Sequence, residues 1–259
     1  MITAEELLFQ RAEELLDRAR GGEITYTPFL TPGEQLRLTR HLGSAAETVL
    51  WGGYGQAERK RMLFLPPYLA ELEPDLREEC LADTYAECTV AVEVRGSGYR
   101  ELTHRDFLGA LLHLGVERDR LGDICVPEGD RAIFFCDRVL AGFFTEHLDR
   151  VANDAVRVQI IAVPSSFDGG RKFVSVSDTV ASPRADAVVA ALANLSRERA
   201  QALFREGRIE IDYEVAERID RTVAEGAVVV IRGCGKFIIR SLSDQTRKGR
   251  YRLIADRYV

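Results

Sequence analysis

The chain has 259 residues, 46% of them hydrophobic and 29% charged, the balance of an ordinary soluble globular protein with length for two or three domains. No apolar run approaches the ~18 residues that cross a bilayer, and the acidic start Met1–Ile2–Thr3–Ala4–Glu5–Glu6 lacks the basic opening of a secretory signal. The net charge of −6 argues against a polyanionic partner for the chain as a whole, but the charge is unevenly spread. Residues 181–259 carry 15 Lys and Arg against 11 Asp and Glu, while the remainder carries 20 against 30. A basic terminal segment on an acidic body is the asymmetry expected when one module meets phosphates.

In chain order, Leu7, Leu8, Ala12, Leu15 and Leu16 form a helical stripe over Ala4 to Arg18, stopped by Arg20–Gly21–Gly22. Thr31, Pro32 and Glu34 have the spacing of a capped start for a second helix. A short strand is expected near Thr48–Trp51, then the turn Gly52–Gly53–Tyr54–Gly55 and the run Glu58–Arg59–Lys60–Arg61. Pro66–Pro67 and the acidic stretch from Glu71 to Glu79 read as a linker region.

The next segment reads strand, helix, strand, strand, helix, strand. The strands are expected at Thr89–Val94, Leu121–Val126, Arg131–Cys136 and Val156–Val163, and the helices at Arg105–Leu114 and Arg138–Val151. That order suits a ferredoxin-like βαββαβ domain, the arrangement of many RNA-recognition modules, although the aromatic signature of the common RNA-binding sheet is absent. Phe134 and Phe135 do lie on the relevant strand. After the loop Ser165–Gly170 and a strand over Phe173–Val176, a helix from Asp186 to Leu195 precedes a second one capped by Ser196. Gly207 closes that helix as a left-handed cap. Strands follow at Arg208–Asp212, Ala227–Arg232 and Lys236–Arg240.

The α+β chain therefore divides into an N-terminal α/β segment (1–80), a central RRM-like domain (81–165), a linker (166–181) and a C-terminal domain (182–259) with a basic extension. In that last domain Arg197 and Arg199 occupy the first turn of a helix, where the dipole already favours anions. Cations there need another reason to be present, and phosphate supplies one. Arg184, Ser196, Arg197, Arg199, Arg205, Arg208, Arg232, Lys236 and Arg240 are the candidate RNA contacts, expected to converge on one surface. Each of these arginines taken alone is equally well read as a solvated charge.

Secondary candidates are Tyr54, Arg59, Lys60, Arg61, His104 and Arg105. Bland readings stand beside them. Thr103 with Asp106 has capping spacing, which makes His104 a helix-start residue; Glu58–Arg61 reads as a solvated face; Trp51 reads as core.

Arg184–Ala185–Asp186, Ser196–Arg197–Glu198–Arg199–Ala200, Gly207–Arg208–Ile209–Glu210–Ile211–Asp212 and Gly226 resemble the alpha-L RNA-binding motif, or S4 domain. The chain departs from it at Asp212, where Asn is usual, and at Ala227, where an acidic residue is usual. Gly52–Gly53–Tyr54–Gly55–Gln56–Ala57–Glu58–Arg59–Lys60–Arg61, Thr103–His104–Arg105–Asp106–Phe107–Leu108–Gly109 and Gly122–Asp123–Ile124 resemble the YlmH family of bacterial proteins. With the terminal module, the similarity runs from about Tyr26 to near the end of the chain. The resemblance implies a ribosome-associated RNA-binding protein from a family found in cell-division gene clusters, with some members linked to large subunits that carry a stalled peptidyl-tRNA.

Enzyme signatures are missing from the sequence. There is no Walker loop, no dinucleotide fingerprint, no zinc-protease motif and no nucleophile elbow. His41, His104, His113 and His147 form no metal-ligand pair, and the five cysteines show neither zinc nor redox spacing. The expected protein is a cytoplasmic, monomeric, non-catalytic binder of ribosomal RNA or tRNA on the ribosome. No catalytic residue, metal, cofactor, membrane or DNA is expected. The alternatives are an RNA-modifying enzyme working through His104, Arg105 and Asp106 with the terminal module as docking arm, and a cell-division adaptor with an acidic recruiting half.

Overall fold

The computed structural model of the chain describes residues 3–43, 47–242 and 249–258. The structure is mixed α and β, and it divides at Gly170 into two compact units. The first begins with α1 (Ala4–Arg20), where Thr3 accepts the Glu6 amide and Glu6 returns a carboxylate to the Thr3 amide. After β1 (Thr25–Tyr26), the expected Thr31–Pro32–Glu34 box opens α2 (Pro32–Leu42). Strands β2 (Thr48–Trp51) and β3 (Arg61–Phe64) complete a three-stranded antiparallel sheet with β3 in the middle.

Every residue of β3 is buried, so both faces of this small sheet need cover. Met62 and Phe64 pack with Ala12, Leu16 and Leu38 of α1 and α2. Leu63 and Leu65 pack on the other side with Leu69 of α3 (Pro67–Ala70) and Leu81 of α4 (Pro74–Cys88). The region expected to be a linker is thus two helices, and the expected boundary at residue 80 falls inside α4. The prolines misled the reading because each stands in the first turn of a helix, where its missing N–H costs nothing. Trp51 stacks on Tyr85 at 4.6 Å, as core rather than display.

The central part follows as β4 (Val90–Arg95), α5 (His104–His113), β5 (Ile124–Glu128), β6 (Arg131–Cys136) and α6 (Arg138–His147). Then come the short hairpin β7 (Arg150–Val151) and β8 (Asp154–Ala155), and β9 (Arg157–Ile161). The α6 helix ends four residues short of expectation because Leu148 leaves helical geometry and the chain turns back through the hairpin, with Ala152 left-handed at φ 51°. The four long strands form an antiparallel sheet in the order β5-β6-β4-β9. Val90, Val92, Val94 and Phe134 face α5 and α6. The opposite face, with Ala91, Ile133 and Phe135, is covered by Phe29, Tyr54 and Ala57 from the preceding segment and by Phe167.

The second unit opens with β10 (Phe173–Val180), longer than the strand expected over Phe173–Val176 and part of the sheet rather than of a linker, pairing over its eight residues with β15 (Tyr251–Tyr258). Between them run α7 (Ala185–Leu192), α8 (Arg197–Arg205), β11 (Ile209–Ile211), β12 (Glu214–Val215), β13 (Val228–Ile231) and β14 (Gly235–Ser241). The sheet order is β10-β15-β14-β13-β11-β12, all neighbours antiparallel. Both helices pack on one face, burying Val188, Val189, Leu203 and Phe204 against Val229, Ile231, Phe237, Ile239 and Leu253. Asp212 and Tyr213 make the left-handed turn from β11 to β12, at φ 53° and 65°. Asp tolerates that region much as Asn does, and its carboxylate accepts the Val228 amide and the Arg221 guanidinium. The departure from the usual Asn is absorbed there. Part of the basic extension, residues 243–248, lies outside the described residues. None of the described helices is long and apolar enough to cross a membrane.

Gly53 sits at φ +94°, and a Cβ there would meet the Phe135 ring at 2.2 Å. Gly53→Ala is expected to destabilise the first unit by at least about 2 kcal/mol through strain and forced repacking, read as a lowered urea midpoint of Trp51 fluorescence.

Candidate nucleic-acid interface

The arginines of the second unit are organised by one acidic residue. Asp186 lies in the first turn of α7 among alanines and valines, and its side chain is fully buried. Arg197 donates to it through Nε at 2.9 Å and Nη2 at 3.3 Å, Gln201 at 3.1 Å, and Arg184 through Nε at 3.2 Å. Burial raises the carboxyl pKa, but these donors outweigh it and hold the group at about 2. The clamp occupies the Nε and Nη2 edge of Arg197 and leaves Nη1 directed elsewhere, with 54% of the side chain exposed. An arginine so held is oriented without being consumed, since five N–H donors serve a two-oxygen acceptor.

Ser196 caps α8 by accepting the Arg199 amide. Arg205 is exposed, two turns along from Arg197, and no ion pair holds it among the described residues. Arg199 reaches Glu206 at 3.7 Å, Arg208 reaches the same carboxylate at 3.4 Å and donates to the Arg232 carbonyl at 2.8 Å, and Arg232 pairs with Glu210 at 2.8 Å. The shared Glu206 and the Arg208–Arg232 bond link these three, Arg199 on α8 and the others beside β11 and β13. Lys236 and Arg240 instead stand on β14, beside Tyr258 and Phe173. The candidates therefore fall into local sets: Arg184 and Arg197 on Asp186, Arg199, Arg208 and Arg232 on Glu206 and Glu210, and Lys236 and Arg240 on β14, with Ser196 and Arg205 on α8 outside these sets. Arg199 and Arg208 share the exposed Glu206, and exposed pairs of this kind are worth ~0–1 kcal/mol and exchange readily for phosphate.

The secondary candidates divide differently. Tyr54 is only 5% exposed, stacked on Phe135 at 5.1 Å, with its hydroxyl donating to Asp123 at 2.7 Å. The same carboxylate accepts the Glu58 amide at 2.8 Å and the Arg59 amide at 2.9 Å. Arg59 turns inward to the carbonyls of Leu121 and Phe29. Arg61, 2% exposed, donates to the Thr27 carbonyl, lies over the Phe29 ring at 4.3 Å and faces Asp137 at 3.5 Å. Tyr54, Arg59 and Arg61 thus brace the N-terminal segment against the central sheet, which corrects their reading as RNA contacts. Lys60 is half-buried, while His104 and Arg105 are exposed in the first turn of α5. Although its surface is open, the His104 ring is held below the ordinary imidazole value by partial desolvation and by Arg118.

The residues that the sequence reading passed over as functional are the acceptors, Asp186 and Asp123. An acid inside the apolar run Ala185–Leu192 was the available signal for the first. Phe134 and Phe135 are both buried, one against the helices and one under Tyr54, so neither is open for stacking.

Residues 10–69 match the family model described as "YlmH, N-terminal", and residues 90–165 match "Putative RNA-binding domain in YlmH". The chain is 31% identical over 233 residues to the "Ribosome-associated protein quality control protein P2" of Bacillus subtilis (strain 168), covering 89% of this chain and 86% of that protein. It also aligns with the solved "Cell division protein ylmH from Streptococcus pneumoniae" at TM-score 0.46 and 22% identity, over 62% of this chain and 93% of the other.

The Asp186 carboxyl titrates below the 3.8 of the free group, so its stabilisation is complete above about pH 4 and is lost as pH falls towards 2. The C-terminal unit is expected to lose on the order of 2 kcal/mol across that window. Asp186→Asn, which strands two guanidiniums at a buried acceptor, should cost about 3 kcal/mol at neutral pH and flatten the acid dependence. Amide hydrogen exchange of β13 reports both.

Proposed function

Because the chain belongs to the YlmH family, we propose that it is a non-catalytic RNA-binding protein of the cytoplasm that docks on folded ribosomal RNA or tRNA. Its site of action is the large ribosomal subunit, including subunits that carry a stalled peptidyl-tRNA. It acts as a monomer and needs no metal or cofactor. The observation that carries this reading is the pair of half-exposed guanidiniums, Arg184 and Arg197, fixed on one buried carboxylate beside the exposed Arg199 and Arg205. Guanidiniums oriented before contact lose less side-chain freedom when phosphate arrives.

Three further features support it. The helix pair followed by the β11–β12 turn fits an S4-type module, with Arg184, Asp186, Arg197 and Gly207 at its landmark positions. In the central part, the first long strand lies between the third and the fourth, the order of a ferredoxin-like domain. The Bacillus subtilis relative is named for ribosome-associated quality control, and the model matching residues 90–165 is named for RNA binding.

Phosphate contacts make affinity salt-dependent. Arg199→Ala with Arg205→Ala removes two exposed charges and leaves the Asp186 clamp intact. The double variant is expected to bind purified large subunits and tRNA about tenfold more weakly, from ~1 kcal/mol per charge-assisted contact offset in part by the loss of weak surface pairs. The slope of log affinity against log salt should become shallower by about 1.5. Filter binding across a salt series measures both, and an unaltered slope would count against docking through this unit.

A further inference from the structure

Helices cover one face of the six-stranded sheet, and on the other face polar positions such as Ser175, Ser177 and Arg252 are mixed with apolar ones. An antiparallel sheet with one solvated face alternates apolar and polar residues. Here the outward positions include Val228, Val230, Ile238, Ile254, Tyr258 and Phe173, every one of them partly exposed. The register aligns Phe173 with Tyr258, and Lys236 with Val230, in one row across the strands. The Phe173 and Tyr258 rings meet edge to face at 5.0 Å. Lys236 Nζ lies 4.6 Å above the Tyr258 ring and 5.5 Å from the Tyr213 ring, and the Arg240 guanidinium stands 5.8 Å from Phe173.

Two cations and three rings thus follow one another in contact, Arg240, Phe173, Tyr258, Lys236 and Tyr213. Beside this strip Glu210 pairs with Arg232 at 2.8 Å, and Asp256 with Arg240 at 2.7 Å. A strip of this kind complements a chain that alternates flat bases with phosphates.

We propose that this sheet face is a second RNA site, separate from the helical arginines, which takes a short single-stranded segment with bases stacked on Phe173 and Tyr258 and phosphates on Lys236 and Arg240. The proposal rests on the RNA-binding reading above and adds to it a strand-selective surface. It also gives a role to Lys236 and Arg240, which stand on β14 rather than on the helices. Tyr213, held in a left-handed turn at φ 65°, closes the far end of the strip against Lys236.

The test uses the full chain, with an eight-nucleotide single-stranded RNA carrying 2-aminopurine and, separately, a blunt RNA hairpin without unpaired overhangs. Phe173→Leu with Tyr258→Leu keeps apolar bulk and removes both rings. Affinity for the single strand should fall about tenfold or more, at ~1–3 kcal/mol per stacked base, with loss of the fluorescence quenching that stacking causes. Hairpin affinity and the thermal midpoint should stay within twofold and a few degrees of the parent. Lys236→Gln serves as a second variant that leaves the rings in place, and it should weaken the single strand severalfold. Equal losses on both RNAs would overturn the separate site. An unchanged single-strand affinity would overturn it too, with the RNA reading intact. If the parent chain binds neither RNA, the RNA reading itself falls.

Discussion

Buried carboxylates decide what the arginines of this chain can do. Asp186, Asp137 and Glu93 are each nearly or fully removed from solvent, and each collects guanidinium groups: Arg184 and Arg197, Arg61 and Arg120, Arg131 and Arg95. An ionised acid in such a place is tolerated only when paired. The consequence differs between sites. Around Asp137 the partner Arg61 is itself buried, so the charge is spent on joining the N-terminal segment to the central sheet. Around Asp186 the partners remain half-exposed, so the same pairing holds cations in place at a surface. One interaction thus makes structure in the first unit and readiness for a ligand in the second.

The first unit illustrates a second constraint, that a sheet with two apolar faces must have both covered. Ferredoxin-like RNA readers commonly leave the face away from their helices open for bases. Here Tyr54, Phe29, Ala57 and Phe167 fill that position, and the Asp123 carboxylate ties down the loop that carries Tyr54. RNA contact by the central part would therefore have to use its helical side or its edges. The glycine-rich segment and the Gly122–Asp123 pair, far apart in sequence, are halves of one structural clasp.

Local signals were read well from the sequence, and long-range ones poorly. Capping at Thr31 and Thr103 and the left-handed stop at Gly207 follow from residues three or four apart, and those elements stand within a few residues of expectation. The stretch containing Pro67 and Pro74 was misread because proline punctuates a chain equally as a loop residue and as a helix opener; only the packing of Leu69 and Leu81 on β3 distinguishes the two. The first half of β10 is legible as a strand over Phe173–Val176, but its membership of the C-terminal sheet is not, because its partner lies over seventy residues away. At the candidate site the charges were visible and their grouping was not, since the convergence of Arg184, Arg197 and Gln201 on Asp186 depends on how α7 meets α8. The Arg61 misreading has the same origin: a basic run looks solvated until the strand that carries it is seen to be covered on both sides.

The place of β15 in its sheet sets an order of events for the newborn chain. The last described strand to leave the ribosome lies in the interior of the sheet, between β14 and β10, while β10 was made some seventy residues earlier and, among the described residues, has no other strand to pair with. Growth from front to back cannot assemble this sheet, and β10 must wait, unpaired, until its neighbour arrives. Such distant pairing slows folding and leaves an open edge in the meantime. Exposed polar groups at Ser175, Ser177 and Asp178 interrupt the apolar pattern of that waiting strand, a safeguard against its joining another chain before its own is finished.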